Sequence, residues 1–161
     1  MPSIFGITLV IIGCGGFGIA AMFRLDNRVR LLTDFSMIAG RLECEIGFRL
    51  TPLPELPERL PTLKPFWDAM DYKPYGEETF GDAWNRAAQK LDLSAIDRAL
   101  VCEMGDILGR YDADSQAKSM DTLRRQLEIS LASAREKRAA HGRLYATAGL
   151  LGGLILAVLL I

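Results

Sequence analysis

The charged residues of this 161-residue chain are confined to its middle. All 19 basic and 20 acidic side chains lie between Arg24 and Arg143, so residues 1–23 and 144–161 carry no charge. Each uncharged run approaches or exceeds the roughly 20 residues that a helix needs to cross a bilayer. An ordinary soluble globule would carry charges to both ends. The distribution therefore predicts an N-terminal transmembrane helix at 1–23, a C-terminal one at 144–161, and a polar domain at 24–143.

Each predicted span has an alternative. A secretory signal peptide is the alternative for residues 1–23, but it would carry basic residues before its apolar stretch. Here Arg24, Arg28 and Arg30 come after that stretch. A buried core helix is the alternative for residues 144–161, although that run is uninterrupted. The order of charged and apolar residues favours two retained spans.

Basic residues flank both spans on the side of the middle segment. Residues 24–30 have a net charge of +2 and residues 135–143 a net charge of +3, which leaves −6 for residues 31–134. Because basic flanks stay on the cytoplasmic side of a membrane, we expect an acidic domain in the cytoplasm and both termini outside. The basic flanks would meet anionic lipid headgroups. The predicted location is the cell membrane.

The middle segment reads as helices throughout. Apolar residues repeat at three- and four-residue spacing, which is typical of one buried helix face. One such stripe predicts a helix over about 28–50, and another predicts a helix from 115 to 161. The fold class expected is all-α, an antiparallel helical bundle between the N- and C-terminal transmembrane helices. The predicted core includes Phe35, Leu42, Ile46, Trp84, Leu100, Met104 and Leu127.

Helix starts are marked by capping residues and prolines. Thr79 and Ser94 each precede an aspartate by three residues, which is the pattern of a capped helix start. Six of the seven prolines lie between 52 and 74 and predict short helical pieces there. In the helix beginning at Ser94, we expect Ile96, Leu100, Met104 and Leu108 on the buried side.

Small residues recur at four-residue spacing in both predicted spans. Such faces let helix backbones approach closely in lipid. We expect the two spans to pack on each other through Gly149, Gly153 and Ala157 in one and Cys14 and Gly18 in the other.

No catalytic, cofactor or metal signature is found in the sequence. The one histidine, His141, has no partner pattern, and the three cysteines show no metal spacing. The glycine-rich run at 13–18 follows no strand and lacks the Lys-Ser/Thr of a phosphate loop. The net charge of −1 gives no sign of nucleic-acid binding. The sequence thus predicts a non-enzymatic protein that works by association.

Five landmarks along the chain match a known family in order and spacing. They are LECEI at 42–46 running into TPLPE at 51–55, Ala83-Trp84, Leu108-Gly109 followed by Asp112 and Gln116, and LLGGL at 150–154. With these landmarks and two terminal spans, the chain resembles the stage III sporulation protein AB family of endospore-forming bacteria.

The resemblance implies a membrane platform or scaffold subunit of the secretion-like channel complex that joins mother cell and forespore. The chain would lie in the mother-cell membrane facing the forespore. The family in turn resembles the helical cytoplasmic domains of type II secretion inner-membrane platform proteins. A cytoplasmic secretion-type ATPase and the other membrane subunits of the channel are the implied partners, and a homo-oligomer stays open. The alternatives are a pore-lining subunit, a small secretion or pilus-assembly subunit unrelated to sporulation, and a membrane-tethered hydrolase.

The proline-rich stretch 52–78 is the candidate partner surface. It is furthest along the chain from both basic flanks and carries six acidic residues against three basic ones. Opposite charges on a partner would mainly speed the encounter. The acidic candidates are Glu55, Glu58, Asp68, Asp71, Glu77 and Glu78.

Overall fold

The structure, a computed structural model, describes residues 2–46, 52–108 and 113–159, and the regular elements in these ranges are helices. Two 3₁₀ turns, Leu53–Glu55 and Pro61–Leu63, add to the helices, and no strand occurs in these ranges. The helices are α1 (Pro2–Cys44), α2 (Leu56–Arg59), α3 (Lys64–Met70), α4 (Phe80–Ala88), α5 (Ala95–Ile107) and α6 (Ala113–Leu159). The predicted all-α class is confirmed.

The two long helices bury the stripes predicted from spacing. Helix α1 continues through Asp26 and Asn27 without a break, and a π turn follows it at Glu45 and Ile46. Helix α6 begins at Ala113 and passes Gly142 unbroken. Every member of both stripes is buried: Leu32, Phe35, Ala39 and Leu42 in α1 with Ile46 in the π turn after it, and Met120, Leu123, Leu127, Leu131 and Ala134 in α6.

Short elements follow the prolines. Pro65 lies in the first turn of α3, where its missing N–H has no helical partner to lose. The indole N–H of Trp67 in α3 donates to the backbone carbonyl of Leu60 at 2.7 Å. This hydrogen bond ties α3 to the chain just after α2, and Leu56 and Leu60 are both buried.

Helices α4 and α5 begin at the predicted caps. Thr79 Oγ1 accepts from the backbone N–H of Asp82 at 3.2 Å, and Ser94 Oγ accepts from that of Asp97 at 3.3 Å. The two helices then pack with little space between their backbones. A Cβ added at Gly105 would lie 2.4 Å from Trp84 Cδ1, and one at Gly81 would lie 2.8 Å from the carbonyl oxygen of Gly105.

The buried face of α5 differs from the predicted one. Met104 and Leu108 are buried as expected, but Leu100 is only half-buried and Ile96 is 73% exposed. The buried face instead follows Asp97, Val101, Met104, Gly105 and Leu108. Its position is set by Gly105, which faces the Trp84 ring, and by Val101, whose carbonyl accepts the Trp84 indole N–H at 2.7 Å. The prediction of Leu100 as a core residue was therefore wrong, because the next residue, Val101, is the one that is buried.

By residue contacts the chain forms two compact units. One comprises residues 1–29 and 132–161, and the other comprises Arg30–Leu131. Within the first unit Arg138 forms an ion pair with Asp26. The predicted limits 1–23, 24–143 and 144–161 describe a membrane topology and stay a prediction.

The structure gives no support to the predicted spans. None of the helices in the described ranges contains a stretch both long enough and apolar enough to cross a membrane. The predicted packing residues Cys14, Gly18, Gly149, Gly153 and Ala157 lie on the helical backbone of α1 and α6. Their side chains lie outside the described part of the structure, so the predicted packing between spans stays a prediction.

Candidate functional site

All six acidic candidates of residues 52–78 are exposed. Glu55, Glu58, Asp68 and Glu77 have no ion-pair partner among the residues that the structure describes. Asp71 and Glu78 lie close to one cation, Arg86 of α4. The structure thus brings two of the six together around Arg86, and no contact joins the other four to them.

Two aromatic residues of the stretch 52–78 belong to a buried cluster of rings. Phe66 and Trp67 of α3 pack edge-on against Trp84 of α4, with ring centroids 4.8 and 5.5 Å from that of Trp84. Phe35 of α1 completes the cluster at 5.3 Å from Phe66. Edge-to-face pairs of this kind stabilise beyond the area that they bury. Of the acidic candidates, Asp68 lies on the same helix as Phe66 and Trp67.

The loop between α3 and α4, residues 71–79, has a defined shape. Asp71 takes a left-handed conformation with φ of 40° and ends α3. A turn follows in which the backbone N–H of Gly76 donates to the carbonyl of Lys73 at 3.0 Å. Tyr72, at the start of the loop, packs edge-on against Phe80, the first residue of α4, with 5.2 Å between ring centroids. We call residues 71–79 the α3–α4 loop.

Arg86 joins the two ends of the α3–α4 loop. Its Nη2 donates to the backbone carbonyl of Met70 at 2.7 Å and to Glu78 Oε2 at 2.9 Å. Its Nε donates to Glu78 Oε1 at 2.9 Å, so the pair is bidentate. These hydrogen bonds lower the pKa of Glu78 below its usual value and raise that of Arg86. One side chain thus fixes the residue before the loop and a residue near its end.

Tyr75 lies in the turn of the α3–α4 loop with its whole side chain in solvent. Its exposure, 102%, is the highest among the exposed large apolar residues of the described ranges. The sequence analysis gave no role to Tyr75 or Arg86. The run Pro74-Tyr75-Gly76, an aromatic between two turn-forming residues, is the signal that marks such an exposed ring.

Two clefts lie in the unit Arg30–Leu131, and the second of them borders the α3–α4 loop. One of about 430 Å³ has Leu63, Phe66 and Ala87 among its lining residues and also borders Arg30 and Asp34. Burial raises the pKa of Asp34, and the charge of Arg30 opposes that effect. The other, about 450 Å³, is bordered by Tyr72, Asp82 and Gly105 among others. Neither cleft brings together groups that suggest a reaction.

Reactive groups are sparse in the described ranges. No three His, Cys, Asp or Glu residues there lie close enough together to hold a metal ion. Burial raises the pKa of the Cys102 thiol, and Asp106 raises it further. A thiol with a raised pKa is a poor nucleophile. The prediction of a non-enzymatic protein stays a prediction.

Comparison with known proteins identifies relatives along nearly the whole chain. The sequence model described as stage III sporulation protein AB matches residues 3–161. The curated protein named stage III sporulation protein AB from Bacillus subtilis (strain 168) is 28% identical over 158 aligned positions, which cover 90% of each chain. No solved structure matches significantly. The family match extends across all the landmarks quoted above, and the chain therefore belongs to the stage III sporulation protein AB family.

Proposed function

We propose that this sporulation-family chain is a non-enzymatic platform subunit of the channel complex between mother cell and forespore, and that it docks a cytoplasmic secretion-type ATPase. The observation that carries the proposal is the set of exposed acidic side chains on residues 52–78, a stretch whose Phe66 and Trp67 pack against Trp84 in the buried aromatic cluster. An exposed acidic surface favours fast association with a basic protein.

The proposal includes a membrane location. The uncharged ends, residues 1–23 and 144–161, would anchor the chain, and the basic stretches 24–30 and 135–143 would stay on the cytoplasmic side. The acidic residues would then face the cytoplasm, where an ATPase is available. Both spans lack charged residues, which usually mark ion paths. The proposal therefore gives them an anchoring role and leaves pore lining to other subunits.

Cys44 is the better reporter of this topology. It is exposed, whereas Cys102 is half-buried and its raised pKa slows reaction with maleimides. In a full-length variant with Cys14 and Cys102 replaced by Ser, an impermeant maleimide should label Cys44 only after the cells are permeabilised. Labelling of Cys44 in intact cells would overturn the cytoplasmic placement.

Docking is tested with matched charge reversals in the full-length chain. The double variant Asp68→Lys/Glu77→Lys changes two exposed residues of the acidic stretch, neither of which forms a described ion pair. The control Asp92→Lys/Glu103→Lys makes the same charge change at two exposed residues outside that stretch. Binding to the purified secretion-type ATPase encoded in the same genome is measured at low and moderate salt.

The reversal at Asp68 and Glu77 should slow association by about tenfold or more at low salt, and the control should have a much smaller effect. The difference should shrink as salt screens the charges. Circular dichroism checks that each variant keeps its helical content. Equal binding by both double variants would exclude residues 52–78 as the docking surface.

A further inference from the structure

We propose that Tyr75 is the anchor residue of a docking site whose partner is a protein surface with a ring-sized apolar pocket bordered by Arg or Lys. This deepens the proposed function and rests on it only for the identity of the partner. Tyr75 differs in exposure from the aromatic residues around it. Its side chain is fully in solvent, whereas five other rings are buried: Phe35, Phe66, Trp67, Phe80 and Trp84. A ring kept wholly outside the fold contributes nothing to the core.

The α3–α4 loop presents this ring in a fixed place. Arg86 holds Met70 before the loop and Glu78 near its end, and the Gly76 to Lys73 hydrogen bond closes the turn that contains Tyr75. At the loop's start, Tyr72 packs on Phe80. Because the backbone is already ordered, a partner that takes up Tyr75 loses little conformational entropy in the loop. The ring adds buried area with only two rotatable side-chain bonds.

The charges around the ring select the kind of partner. Asp71, Glu77 and Glu78 are exposed in the same loop. Lys73 is the one base of the loop, and Arg86 of α4 pairs with Glu78, which leaves a net charge of −1 over these five groups. This negative field repels the phosphates of nucleic acid and anionic lipid and attracts basic protein surfaces. An arginine of the partner can also stack on the face of the phenol ring. Tyrosine is enriched among the residues that carry most of the energy of protein interfaces.

The first test compares full-length variants in binding to the secretion-type ATPase. Tyr75→Ala should weaken binding about tenfold or more, as at an interface hot spot, and Tyr75→Phe should stay within about threefold because it keeps the ring. Ile96→Ala, at an exposed apolar residue of α5, is the control and should bind like the wild type. Circular dichroism should show the same helical content in all four proteins.

Arg86→Gln tests the role of the fixed loop. It removes the bidentate contact with Glu78 while leaving the Tyr75 ring in place. Binding should weaken, and chymotrypsin should cleave the Tyr75–Gly76 bond faster because the loop opens more often. If Arg86→Gln were cleaved at the wild-type rate and bound the ATPase with wild-type affinity, Arg86 would not preorganise the site.

Crosslinking separates failure of this inference from failure of the proposed partner. A photoreactive phenylalanine is placed at position 75 or, as control, at position 96 of the full chain in sporulating cells. Crosslinking at 75 to the ATPase, absent at 96, supports both proposals. Crosslinking at 75 to another basic protein, whose purified form also binds Tyr75→Ala more weakly, supports the anchor and overturns the ATPase as its partner.

Two results overturn the anchor itself. One is wild-type affinity of Tyr75→Ala for an ATPase that binds the unchanged protein, in which case ATPase docking stands without Tyr75. The other is the absence of a crosslink specific to position 75.

Discussion

Trp84 and Arg86 lie two residues apart on α4, and each donates a side-chain N–H to a backbone carbonyl of another segment. Trp84 reaches Val101 on α5 and Arg86 reaches Met70 at the end of α3, both at 2.7 Å. Trp84 is wholly buried, whereas the Arg86 side chain is 41% exposed. The hydrogen bond of Trp84 thus joins two packed helices, α4 and α5, whereas that of Arg86 holds one end of the exposed α3–α4 loop.

The difference in surroundings sets what each contact contributes. Around Trp84 a ring cluster excludes water, so loss of the side chain leaves a cavity and removes the indole hydrogen bond to the Val101 carbonyl. Around Arg86 water replaces any lost hydrogen bond, so the effect on the free energy of unfolding is small. We therefore expect changes near Trp84 to alter stability and changes near Arg86 to alter the loop.

The largest effect is expected for Trp84→Ala. The ring is fully buried and contacts Phe66, Trp67 and Phe35, so its removal should lower the free energy of unfolding by about 3–5 kcal/mol. Denaturant unfolding of the full-length chain, followed by circular dichroism at 222 nm, measures the change. A loss under about 1 kcal/mol would contradict the buried position of Trp84.

A smaller effect is expected for Gly105→Ala. The added Cβ would lie 2.4 Å from Trp84 Cδ1, so α4 and α5 must separate at a cost of about 1–3 kcal/mol. The control is Gly40→Ala in α1, where the nearest atom is Cδ of the flexible Arg124 side chain at 3.3 Å. There the higher helix propensity of Ala should offset the contact. Equal unfolding free energies of the two variants would contradict the close approach at Gly105.

The smallest effect is expected for Glu78→Gln, and it should depend on pH. Because the hydrogen bonds from Arg86 lower the pKa of Glu78 in the folded protein, the pair stabilises the fold above the ordinary pKa of the carboxyl. That contribution is lost as the pH falls through the lowered pKa. The Tm of Glu78→Gln should therefore lie slightly below the wild-type Tm at neutral pH and approach it at about pH 3.

Glu77→Gln is the matched control for Glu78→Gln, since it removes a neighbouring charge without removing a described ion pair. If the Tm difference of Glu78→Gln were the same at both pH values, or equal to that of Glu77→Gln, the contact with Arg86 would not stabilise the fold.

Much of the fold was predictable because its signals are local. The caps at Thr79 and Ser94 need only residues three positions away, and the stripes of α1 and α6 repeat within each helix. Pro65 marks the start of α3 by its fixed backbone angle. The exposure of all six acidic candidates was likewise expected, since carboxylates are rarely buried without partners.

The face of α5 was not predictable from hydropathy. A hydropathy pattern places Ile96 inside and Asp97 outside, yet Ile96 is 73% exposed and Asp97 is wholly buried. The Asp97 carboxylate is accommodated because it accepts a hydrogen bond from Ser94 Oγ at 2.6 Å. Its burial follows from the contact of Gly105 with Trp84, a residue of another helix.

The sequence by itself determined the helical class, the helix starts and the family, because periodicity, capping and ordered landmarks are properties of neighbouring residues. Only the tertiary structure decided which side of α5 is buried, that Arg86 fixes the α3–α4 loop, and that Tyr75 remains in solvent. The first two depend on contacts between residues 8 to 21 positions apart, from Trp84 to Val101 and Gly105 and from Arg86 to Glu78 and Met70. No local pattern specifies such contacts, since they form only when the helices pack.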